Sequence, residues 1–160
     1  MKKLFATSII ALVPILVFAQ TKKYSGAWFD IKYPASFTAK GSLKSASSAT
    51  GFESAVFESP DHLVEFYVFS PQWSGEATDI ALKATEKMVS TKTDSVADQV
   101  STWWTITAKN GSYTRSYQET KNETYNVNRI FGIKYKNQAG LNKYKKEYAA
   151  FKASLMQFAD

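Results

Sequence analysis

Apolar and polar residues alternate in short runs along most of this chain, which commits it to strands with one face buried. Trp28–Tyr33 places Phe29, Ile31 and Tyr33 on one side, and Pro34 ends the run. Glu53–Glu58 and Leu63–Ser70 follow as two more strands. Between them Ser59-Pro60-Asp61-His62 has turn chemistry, which predicts an antiparallel hairpin. Val100–Ala108 is β-branched and aromatic, and Asn110-Gly111 then tolerates the positive φ of a tight hairpin. Ser112–Glu119 returns with Tyr113, Arg115 and Tyr117 on one face. After a polar turn at Lys121–Glu123, residues Tyr125, Val127, Phe131, Ile133 and Tyr135 mark one long strand.

The period changes in two places. Ala77, Ile80, Ala81, Ala84 and Met88 share a helical face, with Asp79, Lys83, Glu86 and Lys87 opposite. That pattern predicts an amphipathic helix over Thr78–Thr91. Beyond Gly140, the stripe Tyr144, Tyr148, Phe151, Leu155 and Phe158 predicts a closing helix laid on the sheet. Ser42–Gly51, rich in Ser, Ala and Thr, reads as a surface loop. The order βββα-βββα implies an α+β fold: an antiparallel-dominated six-stranded sheet with helices packed on it. A chain of 160 residues suits one domain with its own core.

The first 19 residues do not belong to that pattern. Lys2 and Lys3 precede an apolar run from Leu4 to Phe18, and Val17-Phe18-Ala19 supplies a cleavage site. This is the layout of a secretory signal peptide, too short to span a bilayer and interrupted by Pro14. Residues 20–160 are then the mature domain, with no stable membrane insertion. The net charge of +6 falls to +4, because two of the 20 Lys and Arg leave with the leader while all 14 Asp and Glu stay. An exported chain with no cysteine leans toward a bacterial periplasm or the extracellular space of a bacterium. The sequons at Asn110 and Asn122 are incidental in that setting.

Phe29-Asp30-Ile31-Lys32-Tyr33-Pro34-Ala35-Ser36-Phe37 resembles the opening strand of PsbP-like and DcrB-like domains, in which an aromatic–Ile–aromatic–Pro strand leads to a large apolar residue. The element order and the closing Phe151-Lys152-Ala153-Ser154-Leu155 extend the resemblance. Phe37 stands where tryptophan is more usual. The resemblance implies an antiparallel sheet sandwiched by helices, a fold also seen in a nuclear import factor that binds Ran. It implies, as in most members, no enzymatic activity, and it transfers no functional residue.

The residue inventory narrows the chemistry independently. Without cysteine there is no thiolate nucleophile or thiolate metal site. His62 is the single histidine and falls in a turn, where the expectation is solvent exposure. No Gly-x-Ser-x-Gly elbow, phosphate loop or His-Glu-x-x-His is present, and nothing calls for a cofactor or metal. A carboxylate hydrolase would need Glu58 and Glu65 to converge in the hairpin. Lysines 143, 145, 146 and 152 spread around the last helix as a solvated face, which argues against nucleic acid.

Binding remains, and the aromatic residues are the candidates. Trp73 sits in the loop Pro71–Gly75. Trp103 and Trp104 are adjacent, so they point to opposite sheet faces. Tyr113 and Tyr117 bracket Arg115, an arrangement suited to stacking a planar ligand or sugar. The leading expectation is an exported, non-catalytic binding domain that engages an envelope protein through Trp73, Trp103, Tyr113, Arg115 or Tyr117. The alternative is a carrier of a small apolar or sugar ligand with a cavity of several hundred Å³ between sheet and helix.

Overall fold

The computed structural model describes residues 20–158, so the signal-peptide reading of residues 1–19 lies outside the described residues. The strands are β1 (Thr21–Ser25), β2 (Phe29–Pro34), β3 (Thr38–Gly41), β4 (Ser54–Glu58), β5 (Val64–Phe69), β6 (Glu86–Val96), β7 (Gln99–Ala108), β8 (Thr114–Asn122), β9 (Val127–Tyr135) and β10 (Met156–Gln157). Among the described residues one α-helix, α1, spans Gln138–Ala153, and one 3₁₀ turn covers Thr78–Ile80. The main sheet has the order β3-β4-β5-β9-β8-β7-β6, with every neighbouring pair antiparallel. A second sheet has the order β1-β2-β10. The class is α+β, as the alternation predicts.

One face of the main sheet carries the core. Phe57, Phe66, Val68, Phe131 and Ile133 point from it into a layer formed by α1 and the small sheet. Phe29 and Ile31 arrive from β2, and Tyr144 and Phe151 from α1; all are buried. Phe151 meets Phe57, Phe66 and Phe131 at centroid distances of 5.1, 5.3 and 6.2 Å, within the range of favourable edge and tilted pairs. Asn137 caps α1 by accepting the Gly140 N–H at 2.8 Å, so Gly140 lies inside the helix instead of before it. The β4–β5 turn is tied to α1 through Asp61, which accepts from Lys143 Nζ at 2.7 Å and Tyr144 Oη at 3.0 Å.

Three expectations are corrected. The described residues form ten strands, because β1, β3, β6 and β10 join the six expected. The stripe on the last helix ends at Phe151: Ser154 closes α1, Leu155 still packs on the core, and Phe158 follows β10 with its ring exposed. The helix over Thr78–Thr91 does not form. Its first residues make the 3₁₀ turn, and its second half is β6, paired with β7 from Glu86↔Ala108 to Val96↔Gln99.

The reason is long-range. The carbonyls of Ile80 and Ala81, which a helix would give to N–H groups four residues on, accept from the Arg115 guanidinium at 2.8 and 3.0 Å. Thr85 C=O accepts from the Lys109 N–H, and Ala84 C=O from Lys109 Nζ. Side chains distant in sequence therefore satisfy this backbone better than its own helix would.

Candidate binding surface

Among the described residues no α-helix covers the face of the main sheet opposite α1. Tyr67, Phe69, Tyr117 and Ile130 form a second, smaller apolar cluster there, capped by Ala77 and Ile80 from the segment that leads to β6. Asp79 pins the segment at one end, accepting from Ser54 Oγ at 2.7 Å and Tyr67 Oη at 2.8 Å. Burial and the neighbouring Asp79 carboxylate push the Tyr67 phenol well above its usual range.

Arg115 pins the other end. It is only 4% exposed, and its five N–H groups are all engaged. Nε and Nη2 hold Glu86 Oε1 and Oε2 at 2.9 and 2.6 Å. Nη1 donates to the Ile80 carbonyl and to Tyr117 Oη, and Nη2 to the Ala81 carbonyl. Glu86 also accepts from Tyr113 Oη at 2.7 Å and from the Lys83 N–H at 2.8 Å. Burial alone would push its carboxyl up, but these hydrogen bonds and the Arg115 charge outweigh it and hold the group at about 2. The Tyr117 ring lies over Gly132, where an added Cβ would come within 2.4 Å of it. Trp104 stacks on its other side at 5.3 Å.

Tyr113, Arg115 and Tyr117 are therefore brought together as the alternation predicts, but as a clamp that locks the 77–86 segment down. With every Arg115 donor occupied, the trio offers no free guanidinium edge to a ligand. The space left beside it, among Glu65, Asp79, Lys83 and Lys134, measures only about 90 Å³.

What the clamp creates is larger. Between the pinned segment and the β6–β7 hairpin runs an open trough of about 550 Å³, floored by Trp104, Ile106 and Ile130 and walled by Ala77, Leu82 and Met88. Leu82 and Met88 are 52% and 46% exposed, and Glu119 and Lys121 stand at the rim. Leu82 was legible only as part of a helix that does not form, and Met88 as an inward residue of it. Between the main sheet and α1 the Phe57, Phe66, Phe131 and Phe151 rings fill the space, and an apolar pocket of about 220 Å³ remains between α1 and β2 beside Tyr33, Pro34 and Ala150; the roomier site is on the other face.

The remaining candidates lie apart. Trp103 faces the α1 side beyond the helix's reach, with Lys92 Nζ 5.5 Å from its ring. Trp73 is 46% exposed in a separate groove of about 330 Å³ with Pro71, Tyr125 and Phe158. Glu58 and Glu65 pair directly across β4–β5, yet they share a pocket of only about 60 Å³, far below the roughly 300–1,000 Å³ of ligand sites. Glu58 Oε1 lies 2.7 Å from Nδ1 of His62, which is exposed in its turn. Among the described residues no group of three or more acidic or imidazole side chains is placed to hold a metal ion, and no helix is long and apolar enough to cross a membrane.

No protein-family model matches the chain, and no curated protein sequence matches it. Its shape is better represented among known structures. Cyanobacterial PsbP (CyanoP) from Synechocystis sp. PCC 6803 superposes with a TM-score of 0.51 over 95% of this chain and 98% of its own, at 12% identity. The Saccharomyces cerevisiae Ran-binding protein Mog1p aligns with a TM-score of 0.44 over 88% of this chain and 97% of its own, at 7% identity. At such identities the likeness is one of architecture, and in architecture this chain is PsbP-like.

Proposed function

We propose that this chain is an exported, non-catalytic binding domain that engages an envelope protein through the trough between the 77–86 segment and the β6–β7 hairpin. The observation that carries this reading is the open, apolar-floored trough itself, whose walls keep Leu82 and Met88 in solvent. A concave site that gathers exposed apolar side chains beside a few polar ones is the usual form of a binding surface. The absence of cysteine, the apolar leader sequence and the exposed position of the only histidine all favour the same reading.

A photoreactive amino acid at Met88, in the full chain expressed at native level, tests it. The expected result is a discrete adduct with an envelope protein that is absent when the probe sits at Lys40 on β3. No adduct from Met88 or Leu82 would overturn the reading. The volume of the trough also favours a second reading, a carrier of an elongated apolar ligand. In that case an extracted small molecule, instead of a protein adduct, would accompany the purified chain.

A further inference from the structure

We propose that β6 pairs with β6 of a second copy of this chain, antiparallel and about a two-fold axis through Thr93, so that two seven-stranded sheets become one.

Among the described residues β6 is one of the two edges of the main sheet and, with 11 residues, its longest strand. Its residues from Lys87 onward are exposed. A register shift between Met88 and Ser90 interrupts its pairing with β7, and the turn at Ala97 and Asp98 ends it. The regular stretch is thus Ser90–Val96, whose midpoint is Thr93.

The hydrogen-bonding direction follows from the turn. Val96↔Gln99 closes a two-residue loop and so exchanges both of its backbone bonds. Counting back, Asp94 and Lys92 also bond inward to β7. Ser95, Thr93 and Thr91 turn their N–H and C=O groups outward. Two contacts agree with this. The Ser95 N–H donates to the Asp94 carboxylate at 3.0 Å instead of to β7. The Thr93 and Thr102 hydroxyls meet at 3.2 Å, as side chains do in a non-hydrogen-bonded pair.

A two-fold axis can pass only through a residue of the stretch, and charge separates the choices. An axis at Lys92 sets Lys92 against its copy, and one at Asp94 sets Asp94 against its copy; both place like charges directly opposite. An axis at Thr91 leaves both charges facing uncharged residues, and one at Ser95 sets Asp94 against Val96 and Lys92 against Asp98, which lies in the turn beyond the regular stretch. The axis at Thr93 alone sets Lys92 against Asp94 of the second copy, twice, in close non-hydrogen-bonded positions. Thr93 then bonds its own copy, and Thr91 bonds Ser95 on either side. In the isolated chain Lys92 Nζ rests 5.5 Å from the Trp103 ring on β7, and pairing turns it outward to Asp94 of the second copy. In the isolated chain Asp94 covers the Ser95 N–H. On pairing, the Thr91 carbonyl of the second copy takes that N–H and releases Asp94 to Lys92.

The test is a charge swap on the full chain, expressed with its leader and purified. Sedimentation equilibrium over a concentration series reads the association, and circular dichroism confirms the fold. The expected result is a reversible dimer. Lys92→Asp and Asp94→Lys should each weaken it at least about tenfold, by losing two attractions and gaining two repulsions. The double variant Lys92→Asp/Asp94→Lys should restore it. Thr93→Pro, which removes an outward N–H only, should abolish dimerisation and leave the monomer folded. A wild-type chain that stays monomeric, single reversals without effect, or a double variant that fails to recover would each overturn the proposal. The readout needs no partner protein or ligand, so it stands or falls separately from the role of the trough.

Discussion

Arg115 shows what a single residue's sequence context can and cannot reveal. Its alternation with Tyr113 and Tyr117 makes the shared face legible, and the three side chains do share it. That the guanidinium would be consumed by Glu86 and two backbone carbonyls was not legible, because those acceptors lie some 30 residues away in a segment that reads locally as helix. Breaking a buried ion pair from one side strands the other charge, so Arg115→Ala should cost ~3–5 kcal/mol in urea unfolding. Hydrogen exchange should accelerate across residues 78–85 in the same variant. Arg115→Lys should not rescue it, since one ammonium cannot serve acceptors spread around a planar fork. A loss below about 1 kcal/mol would mean that the apolar cluster, not the clamp, holds the segment.

Among the elements, legibility followed how local each one's determinants are. The β4–β5 hairpin and the β7–β8 hairpin carry their own turn chemistry, and both form where expected, with Gly111 at φ +72° in the second. Helix α1 carries a contiguous apolar stripe, and it too forms. By contrast β1, β3 and β10 are five, four and two residues long and exist only through their partners. In β6, Met88 fits a helix and a strand equally well until Ile106 is known to lie opposite. The stripe on α1 also locates the core's most sensitive position. Phe151 is 1% exposed and touches rings from β4, β5 and β9, so Phe151→Ala should destabilise the fold by ~3–5 kcal/mol. Lys145→Ala on the solvent side of the same helix should change stability by less than about 0.5 kcal/mol. Comparable losses at the two positions would contradict the packing of α1 on the sheet.

At the scale of the whole molecule, the two faces of the main sheet are secured differently, and acid should expose the difference. One face is buried under α1 and the small sheet by rings. The other is closed by a loop that Asp79, Arg115, Lys109 and Asn128 pin down, which leaves the trough open beside it. Ionised carboxylates hold both assemblies: Glu86 on the trough side, and Asp61 between the β4–β5 turn and α1. The Asp61 carboxyl is held well below its ordinary 3.8, first by the Lys143 hydrogen bond and then, against some opposing burial, by Ser59, the Leu63 N–H and Tyr144. Glu86 lies at about 2 against an ordinary 4.5. A carboxyl depressed in the folded state contributes stability that is fully present above its unfolded value and is lost as pH falls toward its folded one. Stability should therefore be flat from neutrality to about pH 4.5 and then decline through pH 2, the unfolded chain taking up protons that the folded chain refuses. Glu86→Gln should lower stability at every pH but flatten the slope between 4.5 and 2. Asp61→Asn should remove the part of the decline that begins near 3.8. Denaturant titrations at each pH give these slopes directly. A Glu86→Gln chain whose acid slope matched the wild type would show that the trough-side clamp does not depend on the charge of Glu86.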